Sequence, residues 1–543
     1  MSKIAHYLQE HLLGEVTASP DVRRYFAQDG SVLRQAPTVV VYPRNESDVR
    51  KSVRFAWQLA ERGKILPVTA RGGGTSTTGS AIGSGIILTF AAHMDRVLEL
   101  NTKKRLMIIQ PGMAYNTLEQ MLYSHGLFLP PCPPLSSYAT IGGGIATDAI
   151  GKKSLKYGAT SQYVKSLRVI LSNGEVIETG PLSKKELNHK LGLQTLEGEI
   201  YRSLDKMLEE NAQFIERGRG AIKARFSSSG YNLFDVKKKN QFDLTPLLIG
   251  SEGTLAITTE ATLDIKDYNP RTSQALISLD ELGDLYEVMP PLLDLKPSVL
   301  DMFNRAVIEQ IKKLNPNQLN DVALREEAPI HLFVEFDEVK ESDQKKSIAA
   351  LQKIVDKAGA WCEIAEDSES KERLSKLQGS ISTILVQSQG QARSVPVAED
   401  ICVPVDKLVE FINKAETAYS EVGLPPAIWG HAGSGVVRMQ PVLDLGQTGD
   451  RQKLFKLQDV LYSAAIQLGG SISAGNGDGR MRAPYISLQY GEELYQMMLQ
   501  VKTVFDPHGI LNPGVKTASN NEVRALMRTS YDSGRFADHL PRS

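Results

Sequence analysis

The sequence predicts a mixed α/β region followed by a second, α+β region, and three observations carry that expectation. Near the N-terminus a short apolar run is followed by an amphipathic helical pattern and then another apolar run, the order of a strand–helix–strand unit. From about residue 270 onward strand and helix patterns alternate again. Within the first region, three loops rich in glycine and hydroxyl residues interrupt the apolar pattern.

The elements follow in chain order. Residues 1–36 read as helical and polar until Ala36-Pro37 breaks the pattern. Thr38-Val39-Val40-Val41-Tyr42 is a continuous apolar run closed by Pro43, which predicts a buried strand. Ser47 is the expected N-cap of the next helix, with Asp48 in its first turn. Val49, Val53, Ala56 and Ala60 share one face, Gly63 ends the helix, and residues 65–68 begin a further strand. In the second region, residues 274–279 read as a strand and 280–295 as a helix. Leu332, Val334 and Phe336 alternate on one face of another strand. Helices are expected over 342–357 and 370–386, extended chain over 361–364 and 394–403, and another amphipathic helix from Leu408. The pattern predicts helices over one face of a single sheet. A helix over about 451–468 precedes a glycine-rich loop at 469–479, and the segment 517–543 reads as a polar tail.

Composition narrows the class. The 543 residues suggest roughly three or four domains. Lys+Arg is 62 and Asp+Glu 63, giving a net charge of −1, so no global field favours nucleic acid or an anionic membrane. The run Lys237-Lys238-Lys239 is expected to be a solvated loop. The three cysteines, Cys132, Cys362 and Cys402, are isolated, which excludes a disulfide framework, a zinc knuckle and an iron–sulfur cluster built from them. His6, Glu10, His11 and Glu15 interrupt the N-terminal apolar pattern, and no stretch approaches the roughly 20 apolar residues of a bilayer span. The expectation is a cytoplasmic protein without an integral membrane segment, with peripheral docking on a membrane left open.

The chemistry concentrates in the glycine loops. Arg71-Gly72-Gly73-Gly74-Thr75-Ser76-Thr77-Thr78-Gly79 follows the strand at 65–68. Its glycines let main-chain amides turn inward and its hydroxyls add donors, as a pyrophosphate requires. Pro130-Pro131-Cys132-Pro133-Pro134 then leads into Ala139-Thr140-Ile141-Gly142-Gly143-Gly144-Ile145-Ala146-Thr147. The third loop is Ile249-Gly250-Ser251-Glu252-Gly253-Thr254-Leu255-Ala256-Ile257. Three such loops suit one large phosphate-bearing cofactor better than a small anion. Neither familiar nucleotide motif fits. Gly151-Lys152 is followed by Lys153 instead of Ser or Thr, and no Gly-x-Gly-x-x-Gly opens a helix after the first strand.

Taken together, these loops resemble the FAD-binding domain of the vanillyl-alcohol-oxidase and p-cresol-methylhydroxylase family. The branch they are similar to holds D-lactate dehydrogenase, glycolate oxidase and D-2-hydroxyglutarate dehydrogenase. The matching stretches are 37–43, 71–79, 110–112, 139–147, 157–158, 173–176, 250–258 and the closing Phe505-Asp506-Pro507-His508-Gly509-Ile510-Leu511-Asn512-Pro513-Gly514. The resemblance implies an α+β fold. An FAD-binding domain of two subdomains would span 37–270, and a mainly antiparallel substrate cap 271–425. A segment at 426–516 would return to the flavin. It implies FAD contacts from Arg71, Gly72, Gly73, Gly74, Thr75, Ser76, Gly79, Pro131, Thr140, Gly142, Gly143, Ala146, Glu252, Gly253, Ile257 and Asn512. Relatives that bind flavin covalently often place a histidine after the triple glycine; Thr75 stands there, implying non-covalent FAD.

The resemblance also implies oxidation of a small 2-hydroxy acid, with hydride transfer to the flavin N5, a base for the hydroxyl proton and a cation for the carboxylate. Relatives take a divalent metal and a histidine base from a Gly-His…His motif and a later Glu-His-Gly motif. Gly430-His431-Ala432-Gly433-Ser434-Gly435 matches the first motif, so His431 falls at its first ligand position. Arg438 stands at the second, while Gly475 and Asn476 replace the later Glu and His. One histidine cannot supply a three-ligand site, so no such catalytic metal is expected. His431 is the candidate base, and Arg438 or Arg393 the candidate carboxylate anchor, with Gln378 near the place of the relatives' arginine. Arg438 could instead pair with Glu399 or Asp400, and Asn476 is expected to be structural more than catalytic. Arg480 and Arg482 resemble relatives that carry an appended iron–sulfur domain. Without one, electrons are expected to leave to a quinone, a cytochrome or an electron-transfer protein. The lost metal positions keep two other readings open: a metal-free oxidase of sugars or lactones, or a redox-neutral flavin transferase; and a non-catalytic FAD-binding subunit.

Overall fold

The structure is a computed structural model that describes residues 3–238, 241–314, 316–319, 322, 324–386 and 392–530. Its first sheet grows from the valine run. Val39–Tyr42 runs parallel to Ile86–Thr89, which runs parallel to Val68–Arg71. Val39, Val40 and Val41 are fully buried, as a parallel strand covered on both faces requires. The helix Glu46–Ala60 covers it with Val49, Val53, Ala56 and Ala60. Its N-cap is Asn45, whose side chain accepts from the Asp48 amide, and not Ser47. Asp48 accepts from the amides of Leu13, Gly14 and Arg44, so it anchors the N-terminal segment as well as the first turn. That segment is not wholly helical. Between the helices Lys3–His11 and Pro20–Tyr25, Glu15–Thr17 pairs antiparallel with the first sheet. The strand expected at 65–68 starts only at Val68, because Ile65 is exposed.

A second, five-stranded antiparallel sheet has the order Val97–Asn101, Leu106–Ile109, Ile257–Asp264, Val164–Ile170, Val176–Glu178. Buried and half-buried positions alternate along Ile257–Asp264, the signature of one face on a core. The chain's closing motif returns here. The Val68 amide donates to the Ile510 carbonyl and the Asn512 amide to the Val68 carbonyl, so residues 510–512 extend the first sheet beside the glycine loop.

The third sheet has seven antiparallel strands in the order Trp361–Ile364, Ser273–Leu279, Ile330–Phe336, Val299–Asn304, Ile428–Gly430, Val436–Met439, Ile401–Cys402. Helices cover both of its faces, not one. Leu332 and Val334 face a core shared with Leu285–Asp294, Glu341–Ala358 and Leu408–Glu421, while Phe333 faces Arg305–Leu314 and Ser368–Val386. Ile330–Phe336 is buried at every position, so no polar face remains for solvent. The extended chain expected at 394–403 is two short strands, Ala392–Ser394 and Ile401–Cys402, in different sheets. The lysine run forms the strand Lys237–Lys238 of an exposed hairpin, with Lys239 outside the described residues. The polar tail begins with a capped helix, Asn520–Ala525, and residues 531–543 lie outside the described residues.

An ion cluster around the buried Asp337 fastens the third sheet to the segment Ser154–Tyr157. Asp337 takes Lys156 at 2.6 Å, Lys153 at 3.1 Å and the Tyr157 hydroxyl at 3.0 Å. Lys153 also meets Glu335 at 3.1 Å. Burial alone would raise the Asp337 carboxyl, but the two lysines hold it below its ordinary value. Asp337→Ala removes the acceptor shared by Lys153, Lys156 and Tyr157, while Glu335 still pairs with Lys153, and is expected to cost about 1–3 kcal/mol. Denaturant unfolding of the variant beside the wild type checks this.

Candidate active site

The loop at 72–79 leaves the first sheet directly from Val68–Arg71, and glycine makes its approach to the second loop possible. A side chain on Gly73 would enter the Tyr138 carbonyl, and one on Gly72 the Thr140 hydroxyl. Arg71 braces the loop from beneath. Its Nη1 donates to the Gln28 and Ala81 carbonyls, both at 2.9 Å, and its guanidinium lies 5.0 Å from the Phe26 ring centroid. Burial lowers its pKa. The second loop becomes the short helix Ile141–Thr147, capped by Thr140 on the Gly143 amide. The third loop locks to it: the Gly250 amide donates to the Ile145 carbonyl and the Glu252 amide to the Ala146 carbonyl, each at 2.9 Å.

These three loops line one cleft that is open to solvent. Arg71, Gly72, Gly73, Gly74, Thr75, Ser76, Thr140, Gly142, Gly143, Ala146, Glu252, Gly253 and Ile257 line it. Gly79, Pro131 and Asn512 do not. Gly79 accepts a hydrogen bond from Arg480, and Pro133 and Pro134 replace Pro131 at the wall. Asn512 sits behind the lining, where its Nδ2 donates to the Ser80 and Glu252 carbonyls and its Oδ1 accepts from Thr69. It ties the first loop to the third.

The cleft's chemistry fits a dinucleotide. Among the described residues, the amides of 72–77 find no protein acceptor, and the buried Thr77 hydroxyl has no partner. Such donors suit an anion, while Phe90, Leu248 and Ile257 provide apolar wall for a ring system. A buried ion triad carries the loop 473–479 over the opening. Lys516 reaches Asp478 at 2.7 Å and Glu252 at 3.2 Å, and Glu252 accepts from the Asp478 and Gly479 amides. Burial raises the Glu252 carboxyl despite Lys516. Gly475 and Asn476 thereby join the cleft lining.

A second cavity shares Pro133 and Pro134 with the first. His431, Arg438, Gln378, Asp301, Lys152 and Lys153 are in its walls. His431 Nδ1 lies 2.7 Å from Asp301 Oδ1, and Gln378 Nε2 holds the other carboxylate oxygen at 2.6 Å. The imidazole's Nε2 has no partner among the described residues. A carboxylate on Nδ1 selects the tautomer with its proton there, leaving Nε2 free to accept one.

Residues 37–180 match the model for an FAD binding domain, and residues 269–515 that for the C-terminal domain of FAD linked oxidases. The chain belongs to the FAD-linked oxidase family. Over 522 residues it is 31% identical to the D-2-hydroxyglutarate dehydrogenase of Escherichia coli, matching 93% of this chain but 50% of that relative's length. It is 28% identical to the D-lactate dehydrogenase of Archaeoglobus fulgidus, with 88% of this chain and 90% of the relative covered. The fold matches the 4-ethylphenol oxidase of Gulosibacter chungangensis at a TM-score of 0.69 and 16% identity, over 96% of this chain and 98% of that one.

The residues standing where the resemblance would place metal ligands do not fit a metal. Among the described residues no three His, Cys, Asp or Glu side chains converge to hold an ion. Arg438 Nη2 lies 3.4 Å from Asp400 Oδ1, both buried, while Glu399 accepts from Gln440 at 3.1 Å. Burial pushes the Glu399 carboxyl up to about 7. Asp400 Oδ2 accepts from the Gly475 and Asn476 amides, both at 2.7 Å. Gly475 has no room for the relatives' glutamate: even a Cβ would stand 2.8 Å from the Ile150 amide nitrogen and side chain. Arg393 lies on the ribbon formed by Ala392–Ser394 and Val442–Asp444, and lines neither cavity.

Sequence reading missed Asp301 and Lys152. An acid inside the apolar strand Val299–Asn304 is the signal that could have found Asp301. Its proximity to His431 follows from strand register, since Met302 pairs with Gly430.

Proposed function

We propose that this chain binds FAD non-covalently and oxidises a small 2-hydroxy acid without a catalytic metal. The observation that carries the reading is the Asp301-supported His431, lining a cation-bearing cavity beside the glycine cleft. FAD held in the cleft supplies the hydride acceptor. The loop amides at 72–77 would take its phosphates, and Thr75 offers no covalent attachment. Arg438 and the exposed Lys152 would hold the substrate carboxylate. As the Cα–H bond breaks, His431 Nε2 takes the hydroxyl proton and the C–O bond becomes a carbonyl. Asp301 then stabilises the imidazolium. On this reading residues 37–270 hold the flavin, 271–425 form the substrate cap and 426–516 close the site.

Cys132, Cys362 and Cys402 are free thiols, which supports an electron acceptor outside these residues: a quinone, cytochrome or electron-transfer protein. No helix among the described residues is long and apolar enough to cross a membrane. Nothing in the charge balance calls for nucleic acid. We place the chain in the cytoplasm, with membrane contact limited to peripheral docking.

Anaerobic mixing of the FAD-loaded protein with a panel of D- and L-2-hydroxy acids tests the reading. Bleaching of the flavin absorption is expected with one or more of them, and not with alcohols lacking a carboxylate. Failure of every acid to bleach the flavin contradicts it.

A further inference from the structure

A groove lined in part by the turn after His431 is not used by the proposed chemistry. Its floor includes Gly433 and Ser434. Lys156, Lys223, Arg225 and Lys296 are in its walls, against a single acid, Asp406. The cations come from separate parts of the chain, so their convergence is made by the fold. Lys156 is committed to Asp337 at 2.6 Å, and Arg225 Nη2 to the Leu155 carbonyl at 2.6 Å. Lys223 and Lys296 make no ion pair among the described residues. Two features hold these lysines in place. The Lys223 and Ala224 amides both donate to the Gly469 carbonyl, and Lys296 has a left-handed φ of 55°. The independent observation is Ser434: it is 1% exposed, and its hydroxyl has no partner among the described residues. A buried hydroxyl without a partner is costly unless a ligand supplies one.

We propose that this groove is a binding site for a small oxyanion carrying two or more negative charges, a phosphate or a polycarboxylate. The lysines and Arg225 neutralise it, and Ser434 completes its hydrogen bonds. The Ser434 and Val436 amides both donate to the His431 carbonyl, so an occupant is felt at the loop that carries His431. The proposal does not depend on which substrate the flavin oxidises.

Calorimetric titration of FAD-saturated protein with inorganic phosphate, pyrophosphate and citrate, each alone, tests it. Saturable binding of one anion per chain is expected for one or more of these probes. The two phosphates and citrate distinguish the sources of the charge. Lys223→Glu with Lys296→Glu should weaken binding about tenfold or more. Ser434→Ala removes no hydrogen bond of the protein, so it should fold as the wild type and still bind more weakly. Absence of saturable binding with all three probes overturns the proposal, as does unchanged affinity in the lysine double variant.

Discussion

Asp301→Asn is expected to lower kcat about 10²–10⁴-fold while leaving FAD content and folding near wild type. The carboxylate 2.7 Å from His431 Nδ1 fixes the proton on that nitrogen, so Nε2 presents a lone pair. An asparagine can turn its amide toward Nδ1 and donate instead, which places the ring proton on Nε2 and removes the base. On the proposed reading Asp301 is a positioning residue that acts through His431. His431→Gln should lose as much or more, because the proton acceptor itself is gone. Rapid-reaction measurement of flavin reduction checks both variants. The rate of reduction should collapse with KM changed little, and the pH dependence of the wild-type reduction step should vanish in His431→Gln. A variant that keeps the wild-type rate of reduction would remove His431 from the chemistry.

Asp400→Ala is expected to cost about 3–5 kcal/mol and to raise KM together with the instability. The residue is fully buried, with a left-handed φ of 69°. It accepts from the Gly475 and Asn476 amides and lies against Arg438. Its removal orphans two amides and leaves a buried guanidinium without its acid. Arg438→Met in the Asp400→Ala background should recover part of the stability, because the uncompensated charge leaves with the arginine. Denaturant unfolding of the double-mutant cycle measures this. Amide exchange should show protection falling first at 474–476.

The legible part of this molecule was the part written locally. The valine run, the helix face of Val49 to Ala60 and the three glycine loops each carry their signal within a few residues, and the three loops line one cleft. Both faces of the third sheet were misjudged, because the burial of His331, Phe333 and Glu335 is decided by helices far along the chain. Asp301 stands out in the sequence only as an acid in an apolar strand, and its partner is hidden for the same reason. It meets His431 across a strand pairing between residues about 130 positions apart. Arg438 was recognised as a substitution at a ligand position, and Asp400 was foreseen as an alternative partner for it. That Asp400 also holds the 475–476 turn depends on backbone placement, which no side-chain pattern encodes. Arg393, the alternative to Arg438 as carboxylate anchor, lies on a strand ribbon and lines neither cavity.

On the proposed reading Arg438 and Gly475 stand where the resemblance would place metal ligands, and the chemistry proceeds there without a metal. The most direct measurement is the rate of anaerobic flavin reduction by the best 2-hydroxy acid, taken on metal-analysed protein before and after treatment with a chelator. The account predicts substoichiometric metal and an unchanged rate. Stoichiometric metal, with reduction lost on chelation and restored by adding the ion back, would contradict it.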